Sequence, residues 1–325
     1  MPPIELTVFL GATLAKWRRI YSSLTMADLL RKIRERFLAV VLKCYRNALP
    51  LVFRMRNLVT RGAVIRAAAG GVEFVIVPQG AIALRTWANP SFERAEIEFI
   101  LRMLQPGMTF FDAGANIGLF SLAIGRKLMG QASTIYAFEP CPSTFSILKK
   151  NLSENRLAEV RAVRLALSDQ TGETTLYAKT GLKDALNSPG SPSRTDAEVV
   201  GQELVQTITL DDFVARERIP RVDVMKVGVE GAELLVFRGG RKLLAGPDAP
   251  LILYAGYGCS TAEFHYHPVE LMWQLEEFGY EFFILHPDLG CLRRRMPGQC
   301  YDAMVAAVKR THPAYTELAR GESKA

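Results

Sequence analysis

The stretch Phe110-Phe111-Asp112-Ala113-Gly114-Ala115-Asn116-Ile117-Gly118 decides the fold of this chain. Thr109, Phe110 and Phe111 favour a buried strand. Leu119, Phe120, Leu122, Ala123 and Ile124 continue on helical spacing. Between them lies Asp-x-Gly-x-x-x-Gly. Gly114 lets the backbone turn tightly and admits a ligand where a Cβ would block it. The helix expected from near Asn116 points free N–H groups and its positive dipole end at that ligand. A strand, glycine turn and helix in this order bind a nucleotide-like cofactor at the carboxyl end of the strand. The spacing is not the dinucleotide fingerprint G-x-G-x-x-G, and strand-end Asp112 suits a cationic amino group better than a pyrophosphate. Both points argue against a dehydrogenase.

Downstream, strands and helices alternate. Thr134–Phe138 is a second buried strand ending in Glu139-Pro140, where a carboxylate commonly accepts hydrogen bonds from ribose hydroxyls. A helix over Ser143–Leu152 and a strand over Val160–Leu167 follow, the latter running into Ser168-Asp169, which read either as purine-edge partners or as a plain turn. The Pro/Gly/Ser-rich segment 179–203 is expected to be a mobile lid. Strand Leu204–Ile208 leads to Thr209, an expected N-cap with Asp212 three residues on. Strand Val222–Val229 contains Lys226, which must find an anion, Asp112 or Glu139. Further strands are expected at Pro250–Tyr254, Tyr280–Leu285 and Ala303–Val308, with a helix over Val269–Phe278 stopped by Gly279. Upstream, Pro106-Gly107 ends a helix over Glu93–Leu104 that Asn89 or Ser91 can cap, and residues 62–90 hold two short strands. The order implies an α/β fold, a doubly wound, mostly parallel Rossmann-like sheet with a late antiparallel strand.

The net charge of the 325 residues is +7. Residues 1–66 hold thirteen basic and three acidic residues, a balance of +10, so the rest of the chain carries −3. We therefore divide the chain into a basic helical extension over 1–60, a body over 61–312 and a loose tail over 313–325. The extension is read either as packed on the body or as a basic amphipathic surface on anionic lipid, a peripheral membrane contact. Nucleic acid is not an expected partner, because no recognition motif accompanies the charge. The five cysteines are scattered, without a C-x-x-C pair, so no metal site or disulfide framework is expected and a cytoplasmic location fits.

Six motifs in series carry a resemblance. They are Asp112–Gly118, Phe138-Glu139-Pro140, Lys149–Leu152, Ala166–Asp169, Thr209–Phe213 and Lys226-Val-Gly-Val-Glu230-Gly-Ala-Glu233. Over about residues 90–286 the chain resembles the FkbM-type family of class I S-adenosylmethionine-dependent methyltransferases. The resemblance implies S-adenosyl-L-methionine as cofactor, held by Asp112 and Gly114 at the methionine end, Glu139 at the ribose and Ser168 or Asp169 at the adenine, with Asn116 and Gly118 also in the cofactor-binding turn. It implies O-methylation of a hydroxyl on a small-molecule or glycosyl acceptor. Two departures stand out. The family usually has an aspartate where this chain has Gly228, and an acid where it has Ala255. An alternative expectation is thus a catalytically weak or inactive relative that binds cofactor or a partner.

A hydroxyl acceptor needs its proton removed. Glu230 is the first choice of base, since it follows a strand at the same sheet edge. His265 and His267 follow the next strand, and imidazole is a natural base near neutral pH. Glu233, one helical turn beyond Glu230, is expected to serve the helix N-terminus.

Overall fold

The computed structural model describes residues 48–179, 199–256, 264–285, 292–294 and 304–321. The chain divides into two units, Met1–Leu58 and Val59–Ala325. In the first unit the described residues are helical from 48 onward. The helices expected over Leu14–Ser22 and across most of Met26–Ala48 lie outside the described residues, as does the core of the expected lid, 180–198. The ends of that segment are strands rather than loop.

The second unit opens with a hairpin of β1 (Ile65–Ala69) and β2 (Val72–Ile76), turned at Gly70-Gly71. Helices Gly80–Ala88 and Arg94–Met103 follow. The next strands are β3 (Thr109–Ala113), β4 (Thr134–Phe138), β5 (Val160–Val163), β6 (Ala166–Ser168), β7 (Gly172–Lys179) and β8 (Val199–Thr209). They are followed by β9 (Val224–Val227), β10 (Leu251–Ala255), β11 (Tyr280–Leu285), β12 (Leu292–Arg294) and β13 (Met304–Lys309). The main sheet runs β12-β11-β13-β10-β9-β3-β4-β5. β5, β4, β3, β9 and β10 pair in parallel, and β13 enters antiparallel between β10 and β11. This is the expected doubly wound sheet with its late antiparallel strand. Strand order reverses between β3 and β9, which opens a crevice at their carboxyl ends.

The strands read as apolar runs because both faces are covered. Phe110, Phe111, Ile135, Phe138, Met225, Val227, Ile252 and Leu253 are all buried. On one face Phe111, Tyr136, Phe138 and Phe213 form an aromatic cluster, with the Phe138 and Phe213 rings 4.7 Å apart at 75°. Edge-to-face contact of this kind adds to area burial. Thr209 caps helix Leu210–Arg216 by accepting from the Asp212 N–H, as the spacing predicts. Asp211 accepts from the N–H groups of Lys242 and Leu243, both at 2.9 Å, and so closes the first turn of a later helix, Arg241–Ala245. The Thr209–Phe213 motif is therefore a joint between helices.

Two expectations are corrected. The single strand over Val160–Leu167 is broken. The ladder of β5 ends where the Glu139 N–H donates to Val163 O, and Ala166–Ser168 then leaves the sheet to pair with Thr207–Thr209 of β8. A second, three-stranded sheet of order β6-β8-β7 results. The stretch after Pro313, expected to be loose, carries a helix over Tyr315–Gly321 that buries Leu318. Tyr315 anchors it by donating its hydroxyl to Glu281 at 2.8 Å.

Candidate active site

One cavity opens at the carboxyl ends of β3, β4 and β9, where the strand order predicts it. Its wall includes Gly114, Asn116, Glu139, Lys226, Gly228 and Glu230.

The glycine turn is fixed from both sides. The N–H groups of Gly114 and Ala115 donate to Phe138 O at 3.1 and 2.8 Å. Gly114 has φ +75°, and a Cβ there would lie 2.0 Å from Gly228 O. Only glycine lets β9 exit so close to the turn. Residues 116–118 wind as a further turn, so the helix starts at Leu119, three residues later than expected, with Gly118 at its N-cap. Gly118 itself is not part of the cavity wall.

Asn116 has φ +52°, and its N–H donates to Glu139 at 3.0 Å. The Cys141 N–H donates to the other oxygen of the same carboxylate at 3.0 Å. Glu139 is thus held by two backbone donors at the end of β4, facing the cavity. Burial raises its carboxyl to about 7, against the pull of those two donors.

Asp112 is fully buried beneath this wall rather than in it. Ser121 donates to its Oδ2 at 2.7 Å, and Lys226 Nζ lies 3.4 Å from its Oδ1. Lys226 also donates to Gly114 O at 2.8 Å and stands 5.2 Å from the Phe120 ring centroid. The anion that Lys226 needs is therefore Asp112. Asp112, expected to contact the methionine end, is outside the cavity wall, and Lys226 is the member of the pair that reaches the cavity.

Glu230 faces the cavity from a left-handed backbone, φ +55°. Burial and then the neighbouring Glu233 raise its carboxyl to about 8, with Lys226 opposing. Glu233 turns inward and accepts from the Val229 N–H at 3.0 Å, closing its own helix start, as expected. His265 and His267 are exposed and lie outside the cavity wall. His267 is the N-cap of helix Pro268–Glu276, its Nδ1 accepting from Val269 while Glu270 accepts from the His267 N–H at 2.9 Å. That capping box occupies the imidazole nitrogen a base would need. Ser168 and Asp169 also lie outside the wall. With β6 peeled off the main sheet, Ser168 O packs against Gly239, where a Cβ would meet it at 2.0 Å. Phe138, Leu165, Leu167 and Leu176 give the same wall an apolar face.

The sequence reading missed three contributors. Glu93 and Glu96 reach the cavity from the start of helix Arg94–Met103. Asn151, fully buried, donates to Ile117 O and accepts from the Val77 N–H, both at 2.7 Å. It ties the end of the glycine turn to the strand β2 hairpin. Its place in Lys-Lys-Asn-Leu was visible, but a contact 74 residues away was not. Asn151→Ala leaves one buried and one part-buried backbone group without partners and is expected to cost about 1–3 kcal/mol. A urea melt measures this, and a loss below about 0.5 kcal/mol would refute the bracing role.

The fold and the cavity define a class I methyltransferase-type site: a glycine turn too tight for a Cβ, a fixed carboxylate beside it and an apolar wall. A family model described as "Methyltransferase FkbM domain" matches residues 112–282, and the chain belongs to this family. Its cofactor is S-adenosylmethionine. Among curated relatives, "Methyltransferase 1" of Beauveria bassiana (strain ARSEF 2860) is 32% identical over 179 residues, covering 47% of this chain and 70% of that one. "31-O-demethyl-FK506 methyltransferase FkbM" of Streptomyces tacrolimicus is 31% identical over 160 residues, 42% of this chain and 60% of that one. "Hexuronic acid methyltransferase AglP" of Haloferax volcanii is 29% identical over 166 residues, 50% of this chain and 63% of that one. A crystal structure of methyltransferase FkbM from Methylobacillus flagellatus KT is a more distant likeness, with 12% identity and a TM-score of 0.38 over 71% of this chain and 55% of that one.

The residues present fit the cofactor. Glu139 presents its carboxylate where ribose hydroxyls can donate, Gly114 and Gly228 bring backbone without side chains to the wall beside it, and Phe138, Leu165, Leu167 and Leu176 offer an apolar face to a purine. Among the described residues no helix is long and apolar enough to cross a membrane, and no group of three or more side chains could hold a metal.

Proposed function

We propose that this protein transfers a methyl group from S-adenosylmethionine to a hydroxyl of a small-molecule or glycosyl acceptor, with Glu230 as the base. The observation that carries the reading is that Glu230 and Glu139 face one cavity, one after β9 and the other after β4, on either side of β3. Bound S-adenosylmethionine supplies a methyl group on a good leaving group. The protein then has to orient the acceptor and take its proton. Glu139 holds the ribose, the apolar wall takes the purine, and Lys226, locked on Asp112 and Gly114 O, fixes the floor. Glu230 accepts the hydroxyl proton. Two of the relatives carry names of O-methylation or of a sugar-acid acceptor, which supports a hydroxylated acceptor here. The test is transfer of labelled methyl from S-adenosylmethionine to a panel of hydroxylated glycosides and polyketides, with the product carbon assigned by NMR. An O-methyl product supports the reading, and an N- or C-methyl product overturns it.

A second reading has its own observation. Gly228 and Ala255 are in the cavity wall and present no functional group there. A binder without turnover would look like this. Gly228→Asp separates the two, since it returns an acid to the wall beside Lys226, whose end must shift by a few tenths of an ångström because the new Cβ would lie 3.0 Å from its Nζ. Turnover that appears only in the variant would favour the second reading.

A further inference from the structure

Five glutamates and one lysine line the cavity: Glu93, Glu96, Glu139, Glu230, Glu233 and Lys226. Three of these six are engaged by the protein. Glu139 has two backbone donors, Glu233 has the Val229 N–H, and Lys226 has Asp112 and two carbonyls. Glu93 and Glu230 differ. Among the described residues no hydrogen bond engages either carboxylate.

Both also sit on strained backbone. Glu93 has φ +53° and Glu230 φ +55°, in a region that non-glycine residues seldom adopt. Of the eight described non-glycine residues with positive φ, three (Glu93, Asn116 and Glu230) line this one cavity. Strain of this kind persists where a side chain must be aimed. Glu93 illustrates it. It occupies the N-cap of helix Arg94–Met103 but makes no cap bond, so the helix start gains nothing from its carboxylate. Asn89 and Ser91 do not cap this helix either, since the Asn89 side chain accepts from the Ser91 N–H within the preceding turn. The carboxylate faces the cavity instead, whose wall also holds the bare positions Gly228 and Ala255.

The surroundings are electrostatically legible. Burial raises the Glu93 carboxyl to about 7, Lys226 and Arg85 pull it down, and Glu96 and Asp112 push it up. Glu93 in turn raises Glu230. Two carboxyls that oppose each other in this way are a poor arrangement for an empty cavity and a good one for a cavity that receives a cation.

We propose that Glu93 is a further specificity-determining residue of the methyl-transfer site, which with Glu230 offers a pair of carboxyl groups to a cation at the transfer end and so favours the sulfonium form of the cofactor over the neutral thioether. The proposal rests on the cofactor assignment above. On transfer the C–S bond breaks with its electron pair on sulfur, a C–O bond forms, and the hydroxyl proton passes to Glu230. The positive charge on sulfur disappears and one carboxylate is neutralised. The attraction that held the substrate form is thereby removed from the product form, which speeds exchange.

The test compares two probes by calorimetric titration at about pH 8.5, above the raised values of both Glu93 and Glu230, where their carboxylates are ionised. S-adenosylhomocysteine is neutral at sulfur, and the adenosyl analogue sinefungin carries an ammonium in place of the methylsulfonium. Wild type is expected to bind sinefungin at least about tenfold tighter than S-adenosylhomocysteine, and Glu93→Gln to lower that ratio by about tenfold, the worth of one partly screened charge at close range. Glu93→Gly removes the charge and suits the left-handed backbone, so it is expected to lower the ratio equally while raising the melting temperature. A ratio near one in wild type, or an unchanged ratio in both variants, overturns the proposal. Failure of wild type to bind either probe overturns the cofactor assignment itself, which these two outcomes leave standing.

Discussion

Glu230→Gln is expected to lower kcat by about 10²–10⁴-fold, the usual worth of a positioned general base. The amide keeps the size of the side chain and its place in the cavity but cannot take a proton. The larger part of the loss should fall on kcat, because the amide cannot take the acceptor proton in the transition state. The pH dependence sharpens the expectation. With a carboxyl raised to about 8 by burial and by Glu233, the wild-type rate should rise with pH and level off above about 8. In the variant that rise should vanish. The same group leaves a mark on stability without any acceptor present. Its folded value lies above the ordinary 4.5, so the stabilisation from its bound proton is complete below about 4.5 and is lost as pH rises through about 8. Thermal melts of wild type should therefore fall more steeply over that window than melts of Glu230→Gln. Parallel curves would remove Glu230 from the cavity, and a fully active variant would remove it from the chemistry.

Gly114→Ala is expected to have the second large effect, on folding and binding together. The new Cβ would stand 2.0 Å from Gly228 O, a contact with backbone that no rotamer can relieve. The left-handed φ adds roughly 1–2 kcal/mol and the overpacking roughly 1–3, so a loss of about 2–5 kcal/mol follows. Against a domain stability of about 5–15 kcal/mol this is a severe lesion. If the strands part instead, the β3 turn moves away from Glu139, and cofactor affinity should drop by about a hundredfold or more. Gly71→Ala is the control. Gly71 has φ +77° with nothing within 4 Å of its added Cβ, so it bears the backbone cost alone. Equal losses in the two variants would show that the close approach to Gly228 is unimportant.

Much of this arrangement is legible in the order of residues. The glycine turn after two phenylalanines, the carboxylate after Thr134–Phe138 and the late strand pair each follow from local pattern, because a strand buried on both faces reads as an apolar run. Lys226 needed an anion because it lies inside such a run, and Asp112 is that anion. What escaped the sequence is side-chain direction across long separations. Asp112 looks like a ligand from its position at a strand end, yet its carboxylate turns beneath the floor toward Ser121 and Lys226. Ser168-Asp169 follows an apolar run, but the chain leaves the sheet at Arg164-Leu165 to pair with β8, and no local signal marks that departure. His267 stands where a base would be useful, and its spacing to Glu270 was the overlooked sign of a capping box. Glu93 was hidden for the opposite reason. An acid at the start of a helix is ordinary, and only its backbone angle shows that it does not serve the helix.

The account depends first on the cavity at the ends of β3 and β4 being the cofactor site. Calorimetric titration with S-adenosylhomocysteine, run beside Glu139→Ala, tests this most directly. The account predicts one equivalent bound by wild type in the micromolar range, about −8 kcal/mol, and at least tenfold weaker binding by a folded Glu139→Ala. Binding by the variant as tight as by wild type, or none by wild type, would contradict it.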